Sequence, residues 1–212
     1  MKLLIIEDRI PRLQQFAGFD LENCTEVEIL KDVSYDTLLS ELEEGKVHSL
    51  EKFACIAAHR SALSVKTTDT LKTYCNKSKK PLILFSGGIS TSMFKDDGFP
   101  FLNINSKDFY SINLKYFLEE LRLNRRPNIL IIQFGLKWKI NLLLKLRNDL
   151  VVQLNLGKTI RIKDLKIGLS LSEELTDGNL IKLLNKSDYA AVSEEELKEF
   201  RLTIDRIIND IA

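Results

Sequence analysis

Short apolar runs alternate with amphipathic stretches from the start of the chain to about residue 125. The runs are Lys2 to Ile6, Val27 to Leu30, Phe53 to Ala58, Pro81 to Phe85 and Phe101 to Ile104. Between them apolar residues recur at helical spacing: Leu13 and Phe16; Leu38, Leu39 and Leu42; Val65, Leu71 and Tyr74; and, after the fifth run, Tyr110, Leu114, Phe117, Leu118 and Leu121. Strands that alternate with helical segments belong to a parallel sheet whose faces the helices cover. The pattern therefore predicts an α/β fold with a five-stranded parallel sheet flanked by helices. The connection from Gly87 to Pro100 departs from it, because Gly88, Gly98 and Pro100 leave room for only a short or irregular helix.

The stretch Leu123-Asn124-Arg125-Arg126-Pro127-Asn128 ends the alternation, since Pro127 cannot continue the preceding helix and its neighbours are polar. A boundary follows there, with an α/β domain over residues 1–125 and a mainly helical domain over 126–212. In the second domain Trp138, Leu142, Leu146, Leu150 and Leu154 repeat every fourth residue within the segment from Leu130 to Leu154. Ser193 followed by Glu196 is a capping box, and Leu197, Phe200, Ile204, Ile207 and Ile211 then form one apolar stripe, a helix core or a dimer seam.

Composition narrows the picture. Of 212 residues 44% are hydrophobic and 29% charged, which fits a globular chain and excludes disordered and fibrous classes. No apolar run approaches the length of a membrane span, and the charge at Glu7 interrupts what would have to be a signal-peptide core. A cytoplasmic protein is expected. Cys24, Cys55 and Cys75 form no CxxC pair, so neither a disulfide framework nor a zinc site is expected. The net charge of +1 conceals a division. Residues 125–166 hold ten basic side chains against two acidic ones, and residues 167–212 hold five against ten.

In an open parallel sheet, chemistry gathers beyond the carboxyl ends of the strands. Glu7 and Asp8 stand there after the first run, His59, Arg60 and Ser61 after the third, Ser86, Gly87 and Gly88 after the fourth, and Ser106, Lys107 and Asp108 after the fifth. The stretches Leu3-Leu4-Ile5-Ile6-Glu7-Asp8, Pro81-Leu82-Ile83-Leu84-Phe85-Ser86-Gly87 and Asn105-Ser106-Lys107-Asp108-Phe109 resemble the receiver domain of two-component response regulators, over roughly residues 1–124. The resemblance implies a flavodoxin-like or CheY-like fold. It also implies magnesium at the acidic pair Glu7 and Asp8, phosphoryl contacts from Ser86 and Lys107, and an aspartate phosphoacceptor ending the third strand. That aspartate is missing, for the third strand ends Ile56-Ala57-Ala58-His59-Arg60-Ser61. Asp108 also stands where the family usually has proline.

The expectation is thus a pseudo-receiver that keeps the fold and loses phosphotransfer. It would be a non-catalytic regulatory or adaptor protein of a signalling system, engaging a protein partner or a second copy and requiring no cofactor unless Glu7 and Asp8 hold magnesium. The contact face would comprise the fourth and fifth strands, the Gly87 to Pro100 loop and the helix after Phe109. Two alternatives stand beside it. Arg125, Arg126, Lys137, Lys139, Lys145 and Arg147 would let the basic stretch bind nucleic acid, and His59 could itself carry a phosphoryl group. A hydrolase built on Ser86, His59 and Asp8 lacks a complete G-x-S-x-G elbow, and the glycines after Ser86 match neither common nucleotide loop.

Overall fold

The computed structural model describes residues 1–8, 19–30, 32–96, 98–123, 128–157, 159–162, 182, 185–187 and 190–211. The helical spacing of Leu13 and Phe16 falls outside them. Two compact units divide the chain, Met1–Leu136 and Lys137–Ala212.

The first unit is built on a six-stranded, mostly parallel sheet flanked by helices. In chain order the strands are β1 (Leu3–Ile6), β2 (Val27–Ile29), β3 (Cys55–His59), β4 (Leu82–Ser86), β5 (Met93–Asp96) and β6 (Pro100–Asn105). In space they run β2-β1-β3-β4-β6-β5. Every residue of β1 and β3 is buried, as strands covered on both faces require. Ile5 lies opposite Ala57, Ala57 opposite Ile83, and Ile83 opposite Leu102.

The sheet has six strands where the apolar runs predicted five. The extra one, β5, pairs antiparallel with β6 and occupies the Gly87 to Pro100 connection, where a short helix was expected. Its short alternation explains the difference: Phe94 is buried between the exposed side chains of Met93 and Lys95, a period of two rather than 3.6. Gly98, at φ +89°, makes the return into β6, a backbone region that a side chain would strain.

Helices α1 (Asp32–Glu43) and α2 (Val65–Ser78) pack on one face of the sheet. There Leu38, Leu42, Leu71 and Cys75 join Leu4, Ile6, Ile56, Ala58, Leu82 and Leu84 in one core. Ser64 caps α2 by accepting a 3.1 Å bond from the Thr67 N–H. Val65, expected on the buried stripe, is 82% exposed because it opens the first turn beside that cap. On the other face lie Phe85, Leu102 and Ile104 with α3 (Ser106–Phe109) and α4 (Ile112–Arg122), which buries Leu114, Phe117, Leu118 and Leu121.

A short helix, α5 (Leu130–Phe134), packs on α4 and so belongs to the first unit, past the composition break at residue 125. Gly135, at φ +75°, stops it, and a Cβ there would lie 3.1 Å from the Asn113 side-chain oxygen. The mainly helical segment from Leu130 to Leu154 consequently holds two helices, the second beginning where the repeat does, at Trp138.

In the second unit α6 (Trp138–Asn155) packs against α7 (Glu194–Ile211). Leu142, Leu146 and Leu150 are buried on α6, and Leu197, Phe200 and Ile204 on α7. Leu154 and Ile211, at the ends of the two stripes, are exposed. The capping box is formed: Glu196 N–H donates to Ser193 Oγ at 3.2 Å, and Ser193 N–H donates to Glu196 Oε2 at 2.9 Å. Among the described residues no helix is long and apolar enough to cross a membrane.

Candidate functional site

The carboxyl ends of β1 and β3 are adjacent because the two strands pair directly, with Ile6 opposite Ala58. This register brings Glu7, Asp8 and His59 together, each offering a ligand atom within 4.8 Å of the others. Glu7 is 2% exposed and His59 3% exposed, whereas Asp8 reaches solvent.

Each of the three is held by a neighbour. His59 Nδ1 lies 3.1 Å from Asp8 Oδ1 and 3.9 Å from Glu7 Oε1. Ser61 Oγ lies 2.6 Å from His59 Nδ1 and donates to Asp8 Oδ2 at 3.1 Å. Ser61 has one hydroxyl proton to share between the two contacts, so when it goes to Asp8 the contact with His59 uses a proton on Nδ1. Tyr110 OH donates to Glu7 Oε2 at 2.9 Å. Burial disfavours the Asp8 charge, but hydrogen bonds with Glu7 and Ser61 and the positive field of His59 outweigh it, so its carboxyl sits below the ordinary value. The effect reaches Tyr35 on α1, whose phenol is raised by burial and then by the Asp8 charge.

Aromatic packing closes the site from below. The His59 ring meets Phe85 edge-on at 5.4 Å, Phe85 stacks on Phe109 at 4.2 Å, and Tyr110 stands edge-on to both. A buried imidazole between an aromatic wall and a carboxylate is fixed in orientation, with its apolar edge desolvated and its polar edge bonded.

Among the described residues, the two remaining candidates make no hydrogen bond or ion pair with this cluster. Ser86 is half-buried at the end of β4, where its Oγ accepts from the Gly88 N–H at 3.4 Å. Lys107 is exposed in the first turn of α3, its N–H held by Asn105 Oδ1 at 2.9 Å, and it forms no ion pair among the described residues. Asn105 also donates to the carbonyl oxygens of Gly87 and Ile89, which ties the loop after β4 to the end of β6.

The donor set does not fit magnesium. That ion asks for near-octahedral oxygen ligation, but here the third donor is an imidazole nitrogen, both Asp8 oxygens receive protein hydrogen bonds, and Glu7 Oε2 is taken by Tyr110.

Of the basic side chains, Arg125 and Arg126 lie outside the described residues. Lys145 pairs with Asp149, and Arg147 Nε lies 2.9 Å from Asp205 Oδ1. Lys139 Nζ sits 5.5 Å from the Trp138 ring, while Lys137 is exposed ahead of α6.

Three contributors were not assigned roles from the sequence. Ser61 stood among the strand-end residues, but nothing in the spacing linked its hydroxyl to Asp8. Tyr110 read as part of an apolar helix face, and its partner Glu7 is 103 residues away. Tyr35 carried no signal.

The chain matches no family model, no curated protein and no solved structure. Its class rests on the architecture itself: an α/β unit with a six-stranded, mostly parallel sheet, followed by a helical unit.

Proposed function

We propose that this chain is a non-catalytic regulatory or adaptor protein whose first unit is a pseudo-receiver acting through protein–protein contacts. The order of the five parallel strands, β2-β1-β3-β4-β6, supports a flavodoxin-like core, because it is that fold's order with β5 appended at the edge. The observation that carries the reading is His59. It occupies the end of β3, where a receiver would present its phosphoacceptor carboxylate, and its Nδ1 lies against Asp8 and Ser61. Acyl phosphate cannot form on an imidazole. Burial of His59 to 3% exposure also argues against a phosphohistidine, since a phosphodonor needs access to a ring nitrogen.

A receiver-like adaptor of this kind works in the cytoplasm. The nucleic-acid alternative is the weaker one, since Lys145 and Arg147 spend their charge on Asp149 and Asp205.

Intact mass after incubation with magnesium and acetyl phosphate tests the proposal. The expected result is no gain. A gain of one phosphoryl group that disappears in His59→Ala would overturn it.

A further inference from the structure

The connection between β4 and β6 leaves part of one sheet face bare. Leu84, Asn103 and Met93 stand in a row across β4, β6 and β5, and Leu82, Phe101 and Lys95 form the next row. Alternate residues of a strand share a face, and the buried Leu82 and Leu84 pack with α2, so all six side chains lie on the α2 side. Exposure climbs along the first row, from 5% at Leu84 through a half-buried Asn103 to 42% at Met93. On the opposite face Phe94 and Leu102 are buried. A helical crossover would have covered these rows, but β5 takes up the connecting chain instead. What remains is a groove of about 510 Å³ between α2 and β5.

Charge identifies the occupant. Arg60, Lys72 and Lys95 line the groove against one carboxylate, Asp69. None of the three cations forms an ion pair among the described residues. Lys72 Nζ instead stands 5.9 Å from the Phe101 ring. Beside the groove, β5 is the last strand of the sheet, and no described strand pairs with its outer edge. An outer edge presents a row of backbone donors and acceptors that an extended chain can satisfy.

We infer that the groove and edge together form a docking site for an acidic peptide, which adds as a further strand along β5. Alternate carboxylates of the peptide would then lie over the bare face, against Lys95, Lys72 and Arg60. A nucleic acid would be drawn by the same cations but could not complete the backbone ladder. This inference rests on the reading of the first unit as a protein-contact module and names the chemistry of its partner.

The full-length chain, immobilised, is panned with a random octapeptide library displayed on phage. Enriched peptides are expected to carry Asp or Glu at alternate positions and to lose about tenfold or more in affinity for the double variant Lys72→Glu with Lys95→Glu. Both residues are exposed or half-exposed surface cations, so circular dichroism should report an unchanged fold. Hydrogen exchange at Met93–Asp96 should slow when the peptide binds, which an electrostatic contact without strand addition would not produce. The inference is overturned by the absence of enrichment, by enriched peptides without acidic alternation, by equal binding to both proteins, or by unprotected β5 amides. An oligothymidylate that displaces the peptide at equal concentration would also overturn it, in favour of nucleic acid. A phosphoryl gain with acetyl phosphate refutes the contact-module reading itself, whereas failed panning without that gain refutes the peptide site alone.

Discussion

The carboxyl ends of β1 and β3 and the outer edge at β5 are both places where an α/β sheet offers room to a partner, and this chain treats them oppositely. At the first, His59, Ser61 and Tyr110 satisfy the acidic pair from within and Phe85 closes it from below. At the second, three cations and a strand edge face a groove with little to meet them. The polar groups at the strand ends bond to one another, while the cations without an ion pair among the described residues line the groove beside the sheet edge. Polar side chains mark a site only when their bonding capacity is left over, and here the leftover capacity lies away from the strand ends.

The sharpest way to break this comparison is to remove the aromatic floor. Phe85→Ala should lower the unfolding free energy by about 3–5 kcal/mol, measured by urea denaturation, because Phe85 contacts His59, Phe109 and Tyr110 in a fully buried cluster. Tyr110→Phe keeps the ring and deletes one donor to buried Glu7, so a loss of about 1–3 kcal/mol is expected. No change in that variant would mean that the acidic pair is not held from within.

Asp8 provides a pH test of smaller size. A carboxyl lowered on folding adds stability above its unfolded value and loses it as pH falls through the folded one. Wild type and Asp8→Asn should differ by roughly 0.2–1 kcal/mol near neutral pH, the range of partly exposed ion pairs. The two should converge below the ordinary aspartate value of 3.8. A gap that persists in acid would assign the effect to packing instead. Last, Lys95→Ser should change stability by no more than about 0.5 kcal/mol while weakening the acidic peptide, which separates the open edge from the closed end.

Much of the core was legible in the sequence. The five apolar runs mark the five parallel strands, and Leu38, Leu42, Leu71 and Leu114 lie on buried helix faces because a full apolar strand or a regular stripe has one way to leave water. β5 was illegible, for one buried residue between two exposed ones is too short a period to outweigh the glycines around it. The break at Gly135 lies ahead of the repeat that begins at Trp138, so the repeat does not reveal it; the positive φ of Gly135 ends the helix, and Asn113 leaves little room for a side chain there. At the candidate site Glu7, Asp8 and His59 are marked by their place after strands, a rule of topology. The bonds of Ser61 and Tyr110 depend on side-chain geometry that residue spacing does not encode.

One further consequence concerns the thiols. Cys55 on β3 and Cys75 on α2 are both buried, and burial pushes the Cys75 thiol up to about 12. Cys24 is the accessible member of the three, although burial and the nearby Glu26 and Asp20 raise it too. An alkylating reagent at mild pH therefore modifies Cys24 first and leaves the other two silent. Cys75 becomes a clock: the pace at which it surfaces to the reagent times how often α2 lifts from the sheet, with no probe added to the chain.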